Sequence, residues 1–262
     1  MRRYWIESEN IQNQEVHFAG DLFHHIFEVC RQDLGSHFEV IAPESKAFLV
    51  EVTSRGKKTA VAKIIETRKI PTLPFPHLHL ALSISRFPVM DAVIEKAVEM
   101  GVHSILPFYS EYSFLRKEDS ISANKIERWK KIIVSATQQS GRGDLMTMQT
   151  AVPLKELLNN FNQKPQTKGL FCYEGGTALG ASTLSIKDDL KSDQNKHNDI
   201  KDIWLFVGSE GGFSLAEVDL FKAHDLRPVS LGAQVLRVET ACIALVSVLK
   251  YEFDLMRVSN EP

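Results

Sequence analysis

The sequence is poor in cysteine and has no long apolar segment. Its three cysteines, Cys30, Cys172 and Cys242, lie far apart, without the paired spacing of a disulfide framework or a zinc site. We therefore expect reduced thiols, no metal and a cytoplasmic location. No apolar run reaches the roughly 18 residues that span a bilayer, and the amino-terminal Met-Arg-Arg-Tyr precedes no apolar stretch of the kind found in export signals. Neither a membrane protein nor an exported protein is expected.

The chain also lacks an excess of either charge. It has 31 basic and 33 acidic residues and a formal net charge of −2. Because nucleic-acid-binding domains are usually strongly basic, composition gives no general reason to expect one, and any basic surface must be local. With 262 residues, 44% of them hydrophobic, the chain is long enough for one large domain or two smaller ones.

Pro71, Pro74 and Pro76 mark a linker, because each proline removes a backbone donor and stiffens the chain. Residues 1–72 are predicted to form a small, mostly β unit of barrel type, from short apolar runs separated by turn residues. A helix is expected over Asp21–Arg31, with three apolar residues on one face. These residues are Leu22, Ile26 and Val29.

Residues 73–262 alternate predicted strands and helices, which indicates a parallel sheet covered on both faces and hence an α/β domain. One short helix is predicted over Pro153–Asn159, with the proline in its first turn. The stretch between Ser182 and Asp202 is rich in Asp, Lys, Ser and Asn. It offers too little apolar surface to order itself, so we expect a mobile surface loop there.

The most informative stretch is Trp204–Val218, Trp-Leu-Phe-Val-Gly-Ser-Glu-Gly-Gly-Phe-Ser-Leu-Ala-Glu-Val. Its first four residues are apolar without alternation, as in a strand buried on both faces. Gly208 ends that strand, and Ser214 with Glu217 forms a capping box that predicts a helix from Leu215. In open α/β sheets, ligands bind at such turns beyond the carboxyl ends of strands.

A second stretch, Pro228–Leu249, repeats this order of strand, glycine and helix. Pro228–Leu231 is predicted as a strand, Gly232 breaks it, and an apolar helix begins at Val238. Polar residues at the start of that helix would lie beside the same sheet edge, where backbone N–H groups converge on a ligand.

The two stretches together resemble the bacterial 16S ribosomal RNA uracil-N3 methyltransferases of the SPOUT superfamily. The resemblance is carried by Gly208–Glu217 and by Leu231–Ala241, and it extends to Lys96–Pro107 and Arg128–Arg142. It covers nearly the whole chain. The sequence departs from the family pattern in two places. Ser209 stands where the family usually has proline, and Ala233-Gln234 stands where it usually has Pro-Arg.

This resemblance implies a SPOUT-type methyltransferase domain over residues 73–262, with a deep carboxyl-terminal trefoil knot, preceded by a PUA-like β-barrel RNA-binding domain over residues 1–72. It implies S-adenosylmethionine as cofactor, 16S ribosomal RNA of the small subunit as partner, and a homodimer built partly on the last helix. It also implies a set of cofactor-binding residues. These are Tyr173, Glu174, Gly208, Glu210, Gly211, Leu231, Gly232, Val235, Leu236 and Thr240.

Five basic residues are candidates for RNA contact. The interval 55–69 holds six basic residues against only Glu66, and the interval 116–142 holds seven against three acidic residues. A hairpin of this kind is also typical of a solvated sheet edge that resists aggregation, but with the resemblance phosphate contact is favoured. The candidates are Arg31, Lys57, Lys58, Arg86 and Arg142.

Two residues are candidates for the chemistry. Methylation of uracil N3 requires loss of its proton, which leaves negative charge that a cation can stabilise, and Arg237 is predicted for that role. Glu239 is the nearest candidate base, although a carboxylate at a helix start also stabilises the helix dipole.

Two other functions compete with this prediction. A dinucleotide-dependent oxidoreductase needs Gly-x-Gly-x-x-Gly early in a βαβ unit, and Gly208–Phe213 lacks that spacing. A non-catalytic RNA-binding or ribosome-assembly protein of methyltransferase shape is favoured only by the departures at Ser209 and at Ala233-Gln234.

Overall fold

The computed structural model describes residues 1–116, 121–162, 164–174, 184–192 and 199–256. The chain divides into two compact units, one of Met1–Thr72 with Ile133–Leu145 and the other of Leu73–Ile132 with Met146–Pro262. The division after Thr72 coincides with the proline-rich linker. The inclusion of Ile133–Leu145 in the first unit was not predicted, because a boundary read along the chain cannot show which later segment returns.

The first unit contains a six-stranded sheet in the order β1-β4-β5-β6-β3-β2. The β1–β4 pair is parallel and the other pairs are antiparallel. Phenylalanine rings fill its core, with Phe18 edge-on to both Phe27 and Phe38. The strands are β1 (Arg3–Trp5), β2 (Ile11–Gln12), β3 (Glu15–Ala19), β4 (His37–Ala42), β5 (Lys46–Arg55) and β6 (Thr59–Lys69).

The predicted helix over Asp21–Arg31 is wrong in its geometry. The chain forms one α-helical turn, α1 (Gly20–Phe23), and continues as a π-helical segment over His24–Val29. A π-helix has more residues per turn than an α-helix, so the expected shared face is lost. Ile26 is fully buried, whereas Val29 is 59% exposed.

The second unit contains a sheet in the order β10-β8-β7-β13-β11-β14-β12, with β9 beside β8. Every pair of neighbouring strands is parallel, which confirms the prediction of a parallel α/β domain. The strands are β7 (His77–Ser83), β8 (Ser104–Tyr109), β9 (Thr147–Met148), β10 (Val152–Pro153), β11 (Thr167–Cys172), β12 (Leu184–Ser185), β13 (Asp202–Val207) and β14 (Pro228–Ser230). The helices that follow or connect them are α2 (Phe87–Glu99), α4 (Leu154–Asn162), α5 (Ile186–Ser192), α6 (Leu215–Ala223) and α7 (Val238–Glu252). Helix α3 (Ala123–Ser140) begins in this unit and belongs to the first unit from Ile133 onward.

Two predictions for this unit need correction. Pro153 ends strand β10 rather than lying in the first turn of a helix, and α4 begins at Leu154. The polar stretch after Ser182 contains β12 and α5 rather than a loop throughout. Ile186 is buried there, and Asp189 forms a buried ion pair with Lys168 at 2.8 Å. These tertiary contacts hold residues 184–192, part of a stretch whose composition alone indicates disorder. Residues 182–183 and 193–198 of that stretch lie outside the described part.

At the amino ends of the neighbouring strands β8, β7 and β13, hydrogen bonds join the buried Ser104 and His79 to the partly exposed Asp202. The His79 ring lies between the Ser104 hydroxyl, 2.7 Å from Nδ1, and the Asp202 carboxylate, 2.6 Å from Nε2. Within the described ranges, no helix is both long enough and apolar enough to cross a membrane.

Candidate active site

Strand β13 ends in a turn that hydrogen bonds hold closed. The Gly212 N–H donates to the Ser209 carbonyl at 2.9 Å, and the Ser209 hydroxyl donates to the Tyr112 carbonyl at 2.6 Å. A Cβ on Gly208 would lie 2.9 Å from the Gly212 backbone, and one on Gly211 would lie 2.7 Å from the Tyr112 Cβ. Gly212 has φ +69°, a conformation that favours glycine. The turn therefore requires glycine at positions 208 and 211 because a side chain would clash there, and it favours glycine at position 212 because of the backbone conformation.

The helix after this turn begins as predicted. The Ser214 hydroxyl accepts the Glu217 N–H, the Glu217 carboxylate accepts the Ser214 N–H, and α6 begins at Leu215. Glu217 is buried and also accepts the Glu111 N–H at 2.8 Å. The same carboxylate thus joins the helix start to a distant loop, a contact that the capping motif alone does not predict.

The second glycine segment connects β14 to α7 and is more open. Gly232 has φ +129°, and its N–H donates to the Ser230 hydroxyl at 3.2 Å. The Leu236 N–H donates to the Glu174 carboxylate at 3.3 Å, which joins this segment to the end of β11. As predicted, α7 begins directly after Arg237.

The two glycine segments and the end of β11 line one cleft of about 680 Å³. This volume falls in the range of roughly 300–1,000 Å³ that is typical of small-molecule sites. Its lining combines apolar side chains, exposed backbone, carboxylates and two arginines. The lining residues are Arg86, Val89, Cys172, Tyr173, Glu174, Val207, Gly208, Ser209, Glu210, Gly211, Gly212, Phe213, Val235, Leu236, Arg237, Val238, Glu239 and Ala241.

Most of the residues predicted for cofactor binding and catalysis line this cleft. They are Tyr173, Glu174, Gly208, Glu210, Gly211, Val235, Leu236, Arg237 and Glu239. The lining does not include Leu231, Gly232 or Thr240. Gly232 and Thr240 are exposed, and Thr240 is rotated about 100° from Glu239 around α7. Cofactor contact by these three residues stays a prediction.

Several lining residues were missed or noted only in passing. From the sequence, Ser209 was noted only because it stands where the family usually has proline. Cys172 was noted only as one of three cysteines expected to be reduced. Because β11 and β13 are parallel neighbours, the end of β11 brings Cys172 to the same edge as the turn after β13. Burial raises the pKa of the Cys172 thiol to about 12, so it remains protonated at neutral pH and is a poor nucleophile.

One of the five predicted RNA contacts, Arg86, lies at the cleft itself. Its backbone N–H donates to the Glu210 carboxylate at 3.2 Å, and its Nε lies 3.8 Å from the same oxygen. The Arg86 side chain is 72% exposed, so its charge faces solvent at the cleft mouth.

The other four predicted RNA contacts belong to the first unit. Arg31, Lys57 and Lys58 are exposed. Arg142 is not: its side chain is 5% exposed and its Nε and Nη2 bind the Asp144 carboxylate, both at 3.1 Å. A surface contact between Arg142 and RNA is therefore not supported, because its guanidinium is buried in an ion pair.

The basic hairpin of β5 and β6 is less positive than its sequence indicates. Arg68 makes three hydrogen bonds to the buried Glu39, and Arg55 pairs with Glu28 and Asp33. The exposed lysines remain available for phosphate. They are Lys57, Lys58, Lys63 and Lys69.

A metal site would need clustered ligands. In the part of the chain that the structure describes, no three residues among His, Cys, Asp and Glu are grouped so as to hold a metal ion.

Residues 71–250 match the model of the RNA methyltransferase domain. The chain belongs to this RNA methyltransferase family. Relatives named ribosomal RNA small subunit methyltransferase E include the Aquifex aeolicus protein, which is 30% identical over 85% of this chain and 89% of its own length. The Bacillus subtilis relative is 27% identical over 98% of this chain and 99% of its own.

Solved structures agree with this assignment to the RNA methyltransferase family. A ribosomal RNA small subunit methyltransferase E from Neisseria gonorrhoeae, bound to S-adenosylmethionine, is 25% identical to this chain with a TM-score of 0.81, covering 96% of this chain and 98% of its own. A structure from Legionella pneumophila with the same cofactor is 26% identical, also with a TM-score of 0.81, over 95% of this chain and 97% of its own.

Proposed function

We propose that this methyltransferase transfers a methyl group from S-adenosylmethionine to N3 of a uridine in 16S ribosomal RNA of the small subunit. The family and its relatives support the coarser function: the enzyme uses S-adenosylmethionine and methylates small-subunit ribosomal RNA. One observation carries the site assignment. The glycine turn after β13 and the start of α7 meet in a single cleft, with Arg237 and Glu239 in its wall.

The cleft suits this cofactor. Phe213, Val235 and Leu236 offer apolar surface for an adenosine, and at Gly212 nothing lies within 4 Å of where a Cβ would be. A ligand can therefore approach the backbone closely there. When bound, S-adenosylmethionine supplies an already activated sulfonium methyl group, so the protein mainly provides position and electrostatics.

Arg237 is proposed to stabilise the charge that develops on the uracil. It is exposed, lines the cleft and lies immediately before α7. Loss of the N3 proton spreads negative charge over the ring oxygens, and a cation already held beside them lowers the barrier. The target base must also leave its pair and its stack, which costs a few kcal/mol and least for an unpaired nucleotide.

Glu239 is proposed as the base that accepts the N3 proton. It lines the cleft and lies in the first turn of α7. That position also suits a carboxylate that stabilises the positive end of the helix dipole.

The finer architecture is part of the same proposal. A trefoil knot is proposed for the residues from about 203 onward. The strand order is consistent with it, because β11 lies between β13 and β14 in the sheet. A PUA-like barrel is proposed for the six-stranded first unit, with Arg31, Lys57 and Lys58 contacting RNA. A homodimer is proposed on α7, whose Ile243 and Val248 are 38% and 40% exposed.

The test is transfer of labelled methyl from S-adenosylmethionine to unmethylated small subunits and to the matching naked RNA, with the product nucleoside identified by mass. N3-methyluridine is expected, and the better acceptor shows whether the enzyme reads RNA alone or the assembled subunit. Methylation of another atom would contradict the N3 assignment. RNA binding without methyl transfer would instead favour a non-catalytic RNA-binding protein. The hydrogen bond of Ser209 nevertheless keeps the turn after β13 closed, although Ser209 departs from the family pattern.

A further inference from the structure

Two exposed aromatic side chains, Tyr112 and Phe114, project from the loop after β8. Tyr112 is 45% exposed and Phe114 is 51% exposed. Between them Ser113 is buried, and its hydroxyl accepts the Ser110 N–H and lies 3.2 Å from the Ser83 hydroxyl. Buried Ser113 therefore anchors the loop, while Tyr112 and Phe114 on either side of it are exposed to solvent.

These aromatic residues border the cleft. A Cβ on Gly211, which lines the cleft, would lie 2.7 Å from the Tyr112 Cβ and 3.2 Å from its Cγ. The Phe114 ring packs edge-on against Phe87, with 5.6 Å between ring centroids. Phe87 begins α2 directly after Arg86, which lines the cleft mouth. The aromatic pair therefore lies beside the opening through which a substrate base would enter.

The surroundings of the pair are rich in cations. The Lys125 ammonium lies 4.5 Å from the centroid of the Phe87 ring. Arg86 is 72% exposed, and Arg116, two residues after Phe114, is also exposed. Carboxylates among the described residues also lie close by: Glu210 is within 3.8 Å of Arg86, and Glu217 accepts the Glu111 N–H.

Exposed aromatic rings among cations fit a particular kind of partner. Single-stranded RNA combines anionic phosphates with bases whose flat faces stack on aromatic side chains. A uridine that is unstacked for methylation leaves its neighbours without a stacking partner. Rigid rings that are already in place can bind those neighbours with little loss of conformational entropy.

We infer that Tyr112 and Phe114 form a base-stacking platform for unpaired nucleotides that flank the target uridine. This inference rests on the proposed function, since it assumes that the cleft receives a base from RNA. It adds a contact that selects RNA with unpaired bases next to the target, separate from the phosphate contacts of the lysines.

The test is equilibrium binding of a short unstructured RNA that carries 2-aminopurine beside a uridine, with full-length protein. Wild type should quench the 2-aminopurine fluorescence, because stacking on an aromatic ring does so. The double variant Tyr112→Leu/Phe114→Leu keeps apolar bulk and the Cβ contact with Gly211 but loses both rings. It should bind about 5- to 100-fold more weakly, the range that follows from stacking energies per base, and should lose the quenching.

Conservative and distant controls accompany it. Tyr112→Phe and Phe114→Tyr keep the rings and should bind as wild type does. Phe75→Leu removes an aromatic ring that is 62% exposed and precedes the amino end of β7, and it should not change RNA binding. Calorimetric binding of S-adenosylmethionine, unchanged in all variants, shows that the cleft remains folded.

Unchanged affinity and quenching in the double variant would overturn the platform, as would a wild type that leaves 2-aminopurine unquenched. A change in oligomeric state without a change in RNA binding would identify the surface as a contact between copies of the chain and would also overturn it. A wild type that quenches 2-aminopurine but forms no N3-methyluridine would contradict the proposed function and leave the platform standing.

Discussion

The two glycine segments of the cleft have the same order of strand, glycine and helix, yet they differ in how firmly they are held. The turn after β13 is closed by the Ser209 hydroxyl and by close contact between Gly211 and Tyr112. The segment after β14 is exposed, with Val235 at 79%, and a hydrogen bond of 3.3 Å from Leu236 joins it to Glu174.

This difference indicates that the turn after β13 forms a fixed wall of the cleft, whereas the segment after β14 can adjust to a ligand. A pre-formed wall binds without paying for its own ordering, whereas an exposed segment with few contacts is easily rearranged around a ligand. Arg237 lies at the end of the exposed segment, just before the rigid helix α7. The cation can therefore be positioned by the helix while the residues before it adjust.

The largest expected effect concerns Arg237. Arg237→Ala should lower the rate of methyl transfer about 10²–10³-fold, the range for loss of one group that stabilises developing charge. Binding of S-adenosylmethionine should change much less, because the wall formed by the first turn remains. Single-turnover kinetics and calorimetry separate the two quantities, and unaltered turnover would remove Arg237 from the mechanism. Arg237→Lys, which keeps the charge, should recover part of the rate.

The next effect tests the rigid turn. Gly211→Ala places a Cβ 2.7 Å from the Tyr112 Cβ, so the turn after β13 and the loop that carries Tyr112 must move apart. The free energy of unfolding should fall by about 1–3 kcal/mol, and affinity for S-adenosylmethionine should fall with it. The matched change in the exposed segment, Ala233→Ser, should alter stability by less than about 0.5 kcal/mol. Equal effects in urea denaturation would remove the distinction between the segments.

A smaller effect is expected for the hydrogen bond that closes the turn. Ser209→Ala removes the donor to the Tyr112 carbonyl and should cost about 1–2 kcal/mol of stability. Gln234→Ala, on the exposed segment, should have almost no effect. If Ser209→Ala were as stable as wild type in urea denaturation, close packing by glycine alone would account for the rigidity of the turn.

The smallest effect lies at the opposite end of the sheet and leaves both segments unchanged. Burial lowers the pKa of His79, although the Asp202 carboxylate opposes this. The unfolded chain then binds the proton more readily than the folded protein, so stability should fall as the pH drops below the ordinary histidine pKa of about 6.5. His79→Gln should flatten this slope in urea denaturation at several pH values. A slope of equal size in that variant would assign the titration to another group.

Much of the cleft was predictable because its signals are local. The capping box at Ser214, the apolar strand before Gly208 and the start of α7 after Arg237 each depend on residues close in sequence. The misassigned elements depend on distant contacts. The segment after Ser182 is ordered by the ion pair between Asp189 and Lys168, which no local pattern reveals.

The arginines show the same limit. Arg142 and Arg86 both looked suited to RNA, but Asp144 and burial withdraw the first from solvent, while the second stays exposed at the cleft. Side-chain type indicates what a residue can do, and its surroundings decide whether it does so. The aromatic pair of Tyr112 and Phe114 was not singled out from the sequence either, because exposed aromatics cannot be told from core residues before the fold is known.

The sequence by itself determined the class of this protein: strands alternating with helices, two glycine turns and the residues that mark the RNA methyltransferase family. These are periodicities and short motifs, which follow from backbone geometry within a few residues. Only the tertiary structure decided which residues meet. It brought Glu174, Glu210 and Arg237 to one cleft, tied Ser209 to Tyr112 across about a hundred residues of chain, and buried Arg142, because parallel strand order and long-range hydrogen bonds depend on contacts between distant parts of the chain.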